Sequence, residues 1–186
     1  MRWRSLLDWL VTIAVAIVVV LTLEAEVAKP YRIPSSSMEP TLHCAKPGAW
    51  CQATWSDRVI VNRLAYHFES PKRGQIVVFH APLSAAQRCG EGGTYVKRLI
   101  GLPGDLLVER AGYWTVNGKP LKEPYILPNE RGTQDGRWRV PSSLYFFMGD
   151  DRIHSCDSRM WGAVQRKNLI GPLLVTYWPP SRINFY

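Results

Sequence analysis

The feature that most constrains this chain is an uncharged stretch, WLVTIAVAIVVVLTL, from Trp9 to Leu23, which Leu6 and Leu7 extend backwards past the single Asp8. As a helix, residues 6–23 measure roughly 27 Å at about 1.5 Å per residue, close to the hydrocarbon thickness of a bilayer. Arg2 and Arg4 precede the stretch, and basic residues are retained on the cytoplasmic side. The expected organisation is therefore a cytoplasmic N-terminus (1–5), one transmembrane anchor (6–23) and an extracytoplasmic domain (24–186) at the cell membrane. The rival is a removed secretory signal. Its cleavage region fits poorly, because EAEVAK after Leu23 sets glutamates into the small-residue pattern and leaves Ala25 and Val27 as an imperfect site. On either reading the body lies outside the cytosol.

A length of 186 residues leaves room for one domain with a sizeable core beyond the anchor. Hydrophobic residues make up 46% and aromatic residues 11%, which excludes a disordered or low-complexity chain. Of the formal charge of +8, residues 1–23 carry +1 and the remainder +7. Such an excess suits an anionic membrane surface. Nucleic acid is the weaker partner, since the basic residues are scattered and no helix-turn-helix, RNP or zinc-finger pattern organises them. The four cysteines agree with an oxidising compartment. Two disulfides are expected; the alternative is a metal site with His43 and His154 as further ligands, but Cys44 and Cys51 are spaced more widely than the usual structural-zinc pair.

Beyond residue 24 the apolar stretches are short, rich in Val, Ile, Phe, Tyr and Trp, and separated by turn residues, which predicts strands. They are DRVIVNRL (57–64), QIVVFH (75–80), TYVKRLIG (94–101), YWTVNG (113–118), LYFFMG (144–149) and PLLVTYW (172–178). Asn117-Gly118 is a hairpin-turn signal. No long segment keeps a 3.6-residue apolar period, so helices after the anchor should be short. The fold class is mainly β, an antiparallel sheet, with polar surface excursions at 81–93 and 127–140.

Three stretches carry candidate chemistry. PSSSMEPTL (34–42) places three hydroxyls in a row, which by itself reads as a polar turn. A serine nucleophile needs a base beside it. His43, His67, His80 and His154 are candidates, but none sits in a triad context such as G-x-S-x-G, and each reads as an ordinary surface or structural histidine. Lys97 is the less obvious base. Strand alternation puts Tyr95, Lys97 and Leu99 on one side, where apolar surroundings would disfavour the charged amine. A fall from about 10.4 to about 7.4 in its pKa amounts to roughly 4 kcal/mol that the fold must supply. The alternative is a solvated Lys97-Arg98 pair at a strand edge. The third stretch, GDDRIHSCDSRMWG (149–162), is a charged, glycine-bounded loop after an apolar strand, as expected of a functional loop mounted on a sheet.

Taken in order after one N-terminal apolar segment, PSSSMEPTL, DRVIVN, YVKRLIGLPGD and GDDRIHSCDSRMWG resemble bacterial type I signal peptidase, a Ser/Lys endopeptidase family. The resemblance runs from about Tyr31 to YWPPSR (177–182), with 81–93 and 127–140 divergent. It implies a membrane-bound serine endopeptidase that removes signal peptides from exported preproteins after Ala-x-Ala. It implies Ser37 as nucleophile, Lys97 as general base, Ser35 as an oxyanion-binding hydroxyl and Ser155 as the group that orients Lys97. Ser36 falls at the variable position, and Asp157 and Arg159 form the supporting ion pair. Tyr31, Ile33, Met38, Leu42, Tyr95 and Val96 would line a groove that takes the substrate as an added strand with shallow pockets. No metal or organic cofactor is implied.

Residues 24–37 also keep Ser37 within about 50 Å of the bilayer even when fully extended. The loop departs from the commonest family wording, in which Asn, Asp and Asn stand at the places of Asp151, Ile153 and His154. Cys156 adjoins Ser155, and the expected pairing is Cys89–Cys156, tying the lysine strand to the loop, with Cys44–Cys51 as the second bridge. Three other readings remain to be weighed: a self-cleaving repressor, which the apolar segment argues against; a non-catalytic anchored binding domain, if Lys97 is solvated; and a Ser/His peptidase.

Overall fold

The computed structural model describes residues 2–90 and 92–186, and in its first helix the side chains of residues 7–21 and Val27. That helix, α1 (Arg2–Val27), runs into a strand at Ala28. Along 7–21 every described side chain faces away from the body. Among the described residues no helix is long and apolar enough to cross a membrane. Leu6, Thr22 and Leu23, which complete the expected span, lie outside the described side chains.

The strands of the body all pair antiparallel. The strands are β1 (Ala28–Arg32), β2 (Arg58–Asn62), β3 (Ile76–His80), β4 (Thr94–Gly101), β5 (Leu106–Arg110), β6 (Tyr113–Val116), β7 (Lys119–Pro120), β8 (Gly136–Arg139), β9 (Leu144–Met148), β10 (Val164–Gln165), β11 (Leu169–Trp178) and β12 (Asn184–Phe185). The larger sheet has the order β1-β2-β11-β3-β4-β9-β10, with β12 also on β11, and the smaller has β7-β6-β5-β8. Helices after α1 are single or double turns: α2 (Ala65–Phe68), α3 (Leu83–Cys89) and α4 (Ser158–Trp161).

The central strands of the larger sheet are covered on both faces, so β3 reads as the unbroken apolar run IVVF rather than an alternation. One core layer gathers Ile33, Met38, Leu42, Val59, Val61 and Val78. A second, with Phe79, Leu99, Phe147 and Trp161, lies under α3 and α4, with Phe79 stacked on Phe147 at 4.5 Å. The third, Ile100, Leu107, Trp114, Val140, Phe146 and Met148, seals the small sheet to the large one. Asn117 and Gly118 both take positive φ (51° and 79°) between β6 and β7, as a two-residue type I′ turn requires.

The polar excursions are not plain loops. Residues 81–93 contain α3, and 127–140 contains β8, an edge strand that pairs with β5. In β8, Arg137 and Arg139 face solvent while Trp138 turns inward to stack on Trp114 at 5.1 Å. A strand with one apolar side chain carries no alternation to detect.

Both disulfides are formed, Cys44–Cys51 and Cys89–Cys156, which removes the thiolates that a metal site would need. The second joins the end of α3, just before β4, to the loop after β9 across 67 positions. In the chain-entropy description, closing a loop of that length stabilises the fold by about 4 kcal/mol, less any strain. A Cys89→Ser/Cys156→Ser variant should therefore unfold in urea with a stability lower by about 2–4 kcal/mol, whereas an unchanged midpoint would show that the bond constrains nothing.

Candidate active site

Ser36 and Ser37 stand in a single turn of 3-10 helix, Ser36–Met38, entered from an extended Ser35 and closed by the Glu39 N–H on the Ser36 carbonyl at 2.8 Å. Met38 anchors the turn by pointing into the core, fully buried. That leaves Ser37 at the surface of the sheet, 8% exposed, facing β4. Lys97 on β4 reaches it: Nζ donates to Ser37 Oγ at 2.5 Å. Ser35 Oγ lies 3.4 Å from Ser37 Oγ, whereas Ser36 is turned into the protein, 5% exposed.

Lys97 is 5% exposed, flanked by β3 and β9 and by the ring of Tyr95, whose centroid is 5.9 Å from Nζ. Burial lowers its pKa from 10.5 to about 8; Asp157 and Asp150 pull the other way, and Arg159 reinforces the fall. Neither residue of the Lys97-Arg98 pair is solvated. Arg98 points to the opposite face of β4, where Asp150 clamps it through both carboxylate oxygens at 2.8 and 2.6 Å and Tyr125 stacks on it at 3.8 Å. Thr41 Oγ1 donates to the same carboxylate at 2.6 Å, which joins the serine turn's flank to the lysine strand and the loop. Sequence reasoning passed over Asp150, Thr41 and Arg98 as site supports. The signal was there: an Arg beside a buried Lys, and an acidic pair right after an apolar strand.

The loop after β9 wraps the site. Asp157 is fully buried, pairs with Arg159 at 2.8 Å, and accepts from the Gly149 N–H at 3.1 Å; its carboxyl stays below the usual range because Arg159, in contact and by hydrogen bond, outweighs the burial that would raise it. Arg159 also donates to the Arg152 carbonyl at 2.7 Å, so the ion pair pins both ends of the loop. Gly149 passes so close to the serine turn that an added Cβ would sit 2.2 Å from the Ser37 carbonyl and 2.3 Å from Ser155 Oγ. Ser155 is buried beside it, but its hydroxyl has no hydrogen-bond partner, and no bond to Lys97 is made in this structure. The substitutions at 151 and 154 form a unit of their own. Asp151 accepts from the Ile153 and His154 N–H groups and from His154 Nδ1 at 2.8 Å, and the imidazole stacks on Trp50 at 4.1 Å.

A cavity of about 540 Å³ opens over Ser37 and Lys97. Tyr31, Ile33, Tyr95 and Val96 line it, together with the Trp50–His154 stack and both cysteines of the Cys89–Cys156 bridge. Met38 and Leu42 do not line it: both are fully buried in the layer beneath, so they support the groove floor rather than touch its contents. His43 is engaged with Glu39, and His67 and His80 lie on a different cavity. Among the described residues no three His, Cys, Asp or Glu side chains gather as a potential metal site.

Because the Lys97 pKa is lowered on folding, the unfolded chain binds its proton between about pH 8 and 10.5 while the folded one does not. Stability should rise with pH across that window, by about 3 kcal/mol in all, and the rise should vanish in Lys97→Met. Urea midpoints of the two proteins from pH 7.5 to 10.5 check this; parallel curves would place the amine in water.

Comparison with known proteins gives a consistent result. A profile described as "Signal peptidase, peptidase S26" matches residues 6–178. A signal peptidase I of Leptolyngbya laminosa is 36% identical over 96% of this chain and 82% of its own length. A probable signal peptidase I-1 of Synechocystis is 37% identical over 97% and 86%. A signal peptidase I of Bacillus amyloliquefaciens is 34% identical over 96% and 91%. A crystal structure of a signal peptidase I from Enterococcus faecalis V583 superposes with a TM-score of 0.46 at 32% identity, covering 56% of this chain and 97% of that one. With a match over nearly its whole length, the chain belongs to the signal peptidase family, peptidase S26, and is a serine-type signal peptidase hydrolase.

Proposed function

We propose that the protein is a membrane-anchored endopeptidase that removes signal peptides from exported preproteins after Ala-x-Ala, using Ser37 as nucleophile and Lys97 as its base. The observation that carries this reading is the contact of a buried, pKa-lowered amine with a serine hydroxyl, 2.5 Å apart, at the floor of an open cavity. At a pKa of about 8, a useful fraction of Lys97 is neutral near neutral pH and can accept a proton.

In the reaction so read, Ser37 Oγ attacks the scissile carbonyl carbon as its proton passes to Lys97 Nζ. The oxyanion is held by the Ser37 N–H and the Ser35 hydroxyl, whose position 3.4 Å from Oγ puts it beside the developing charge. Lys97, now charged, donates its proton to the leaving amine of the mature chain. A water then gives a proton to Lys97 and attacks the Ser37 ester, and Lys97 returns that proton to Ser37 Oγ as the signal peptide leaves. Ser155, buried without a partner, is the group that would hold the amine once substrate closes the site. Asp157 and Arg159 keep the loop, and hence Ser155, in place.

The shape of the groove supports that selectivity. The extended segment at Tyr31–Ile33 and the strand at Tyr95–Val96 both border the cavity, so a substrate strand can lie between them with alternate side chains directed into the floor. That floor stands on fully buried Met38 and Leu42 and cannot recede. Bulk is excluded, and small residues pass.

The anchor reading rests on α1. Its described side chains are apolar around the helix except at Asp8 and Thr12, whose hydroxyl donates back to the Asp8 carbonyl at 2.8 Å. A helix that is apolar all round and stands off the body is suited to lipid. The sequence 6–23 supplies the length that residues 7–21 lack. Of the other readings, a Ser/His peptidase is disfavoured because His154, the imidazole nearest the site, is committed to Asp151 and Trp50.

The test is cleavage of a preprotein carrying an Ala-x-Ala site by the full chain in detergent. Ser37→Ala and Lys97→Ala should each lower kcat/KM by at least about 10³-fold while remaining folded. Gly149→Ala should lower it by about 10²-fold, because the new methyl must displace the Ser37 carbonyl. Cleavage that survives Lys97→Ala would return the histidines as candidates. Alkaline carbonate washing should leave the full chain in the membrane pellet and release a chain lacking residues 1–27; release of both would refute the anchor.

A further inference from the structure

The small sheet buries a carboxyl group for which the reaction has no direct use. Glu109 is the fourth residue of β5, LLVER, and shares the inward side of that strand with Leu107. It is 1% exposed and stands directly opposite Trp114 on β6. The Arg152 guanidinium, from the loop after β9, lies 5.7 Å from the Trp114 ring. Among the described residues, neither Glu109 carboxyl oxygen, nor Trp114 Nε1, nor Arg152 Nη1 has a hydrogen-bond partner, although all are buried. Unpartnered buried polar atoms are unfavourable, and four of them meet where β5 and β6 face the loop.

The charged groups facing Glu109 come from the loop and α4: Arg159, Arg152 and Asp157. On its own sheet, its partners on either side, Trp114 and Gly136, carry no charge. Each arginine holds the loop. Arg152 donates from Nε to the Gly149 carbonyl at 3.0 Å and from Nη2 to Glu123. Arg159 donates from Nη2 to the carbonyls of Arg152 at 2.7 Å and Ser155 at 3.4 Å. Two of the carboxylates around them are engaged, Asp157 with Arg159, and Glu123 with Arg152 and, at 3.6 Å, with Arg131. Glu109 faces both guanidinium groups without being paired to either. As a carboxylate it draws them together onto the small sheet; protonated, it does not. Ser155 follows, because its hydroxyl has no partner and its carbonyl is held by Arg159.

We propose that Glu109 is a positioning residue for the reaction: its carboxylate seats Arg152 and Arg159, and through them sets Ser155 beside Lys97. The role rests on the Ser37–Lys97 reading above. It weakens the fold where it acts. Burial raises the Glu109 pKa to about 7, against the pull of Arg159 and Arg152, so the group is largely ionised only above neutrality. Folding therefore takes up a proton between about pH 4.5 and 7, and the stability that goes with the protonated form is lost as pH rises through 7. An apolar side chain at 109 would be the more stable choice at the pH where Lys97 is neutral. A group that weakens the fold under those conditions fits a site role rather than a packing one.

The experiment compares the full chain in detergent with Glu109→Gln, which keeps the shape and cannot ionise, on a preprotein carrying an Ala-x-Ala site. Taking the ratio of the two rates at each pH cancels the steeper Lys97 dependence that both share. The parent's kcat should exceed the variant's about threefold at about pH 8.5 and equal it at about pH 6, with KM the same in both, since position 109 does not meet substrate. In urea, the midpoint of the parent should fall relative to that of the variant as pH rises from about 4.5 to 7.5. Should Glu109→Gln fail to fold, Glu109→Leu takes its place with the same expectations. A merely structural role would lower the rate equally at every pH, so a ratio independent of pH would overturn the proposal, as would parallel urea curves. Cleavage that survives Lys97→Ala would strike the Ser/Lys reading and this role with it; a flat ratio beside an inert Lys97→Ala would strike this role alone.

Discussion

Everything at the site depends on keeping one ammonium group out of water. Lys97 is carried into the protein by β4, between two strands of an apolar sheet, and its amine has the Ser37 hydroxyl as its close polar contact. Water would return the lysine to its ordinary charged state and, in the proposed mechanism, leave the serine with a proton it cannot lose. The surrounding charges do not create the shift; Asp157 and Asp150 oppose it. Burial creates it, and the rest of the fold has to afford that burial.

The supports are arranged accordingly. Arg98, adjacent in sequence, is neutralised on the opposite face by Asp150, so the strand buries two basic residues without placing two positive charges on one side. Asp157 and Arg159 close the loop over the amine as an ion pair with low exposure on both partners. Such a pair contributes little net stability when buried, but removing one partner leaves the other uncompensated. Gly149 lets the loop backbone touch the backbone of the serine turn, and Cys89–Cys156 ties the start of β4 to the same loop. The serine turn, the lysine strand and the loop are thus mutually braced, which suits a site whose two proposed reacting groups are 60 positions apart in sequence.

Much of this was legible in the sequence. The strands carrying Lys97 and preceding the loop announced themselves through runs of Val, Ile, Phe and Tyr, and Asn117-Gly118 marked its turn. Among the strands that escaped were β8, at the small sheet's edge, and its neighbour β5. β8 has a single inward side chain, Trp138, between outward arginines, and β5 buries Glu109 within LLVER, so neither shows an apolar alternation. At the site, the serine turn and Lys97 were legible through their ordered motifs, whereas the clamp of Asp150 on Arg98 and Thr41 was not, because pairing across 52 and 109 positions leaves no local pattern. Met38 and Leu42 show the same limit: an apolar residue beside a nucleophile reads equally as groove lining or core, and burial decides for core.

A buried, neutral Lys97 is the proposed base. The most direct measurement is kcat/KM against pH, from 6 to 10, for a preprotein carrying an Ala-x-Ala site. The account requires a rate that climbs about tenfold per pH unit in the acid range and levels off near pH 8, where Lys97 loses its proton. A profile that levels off near pH 6.5, or one that stays flat across the range, would contradict it.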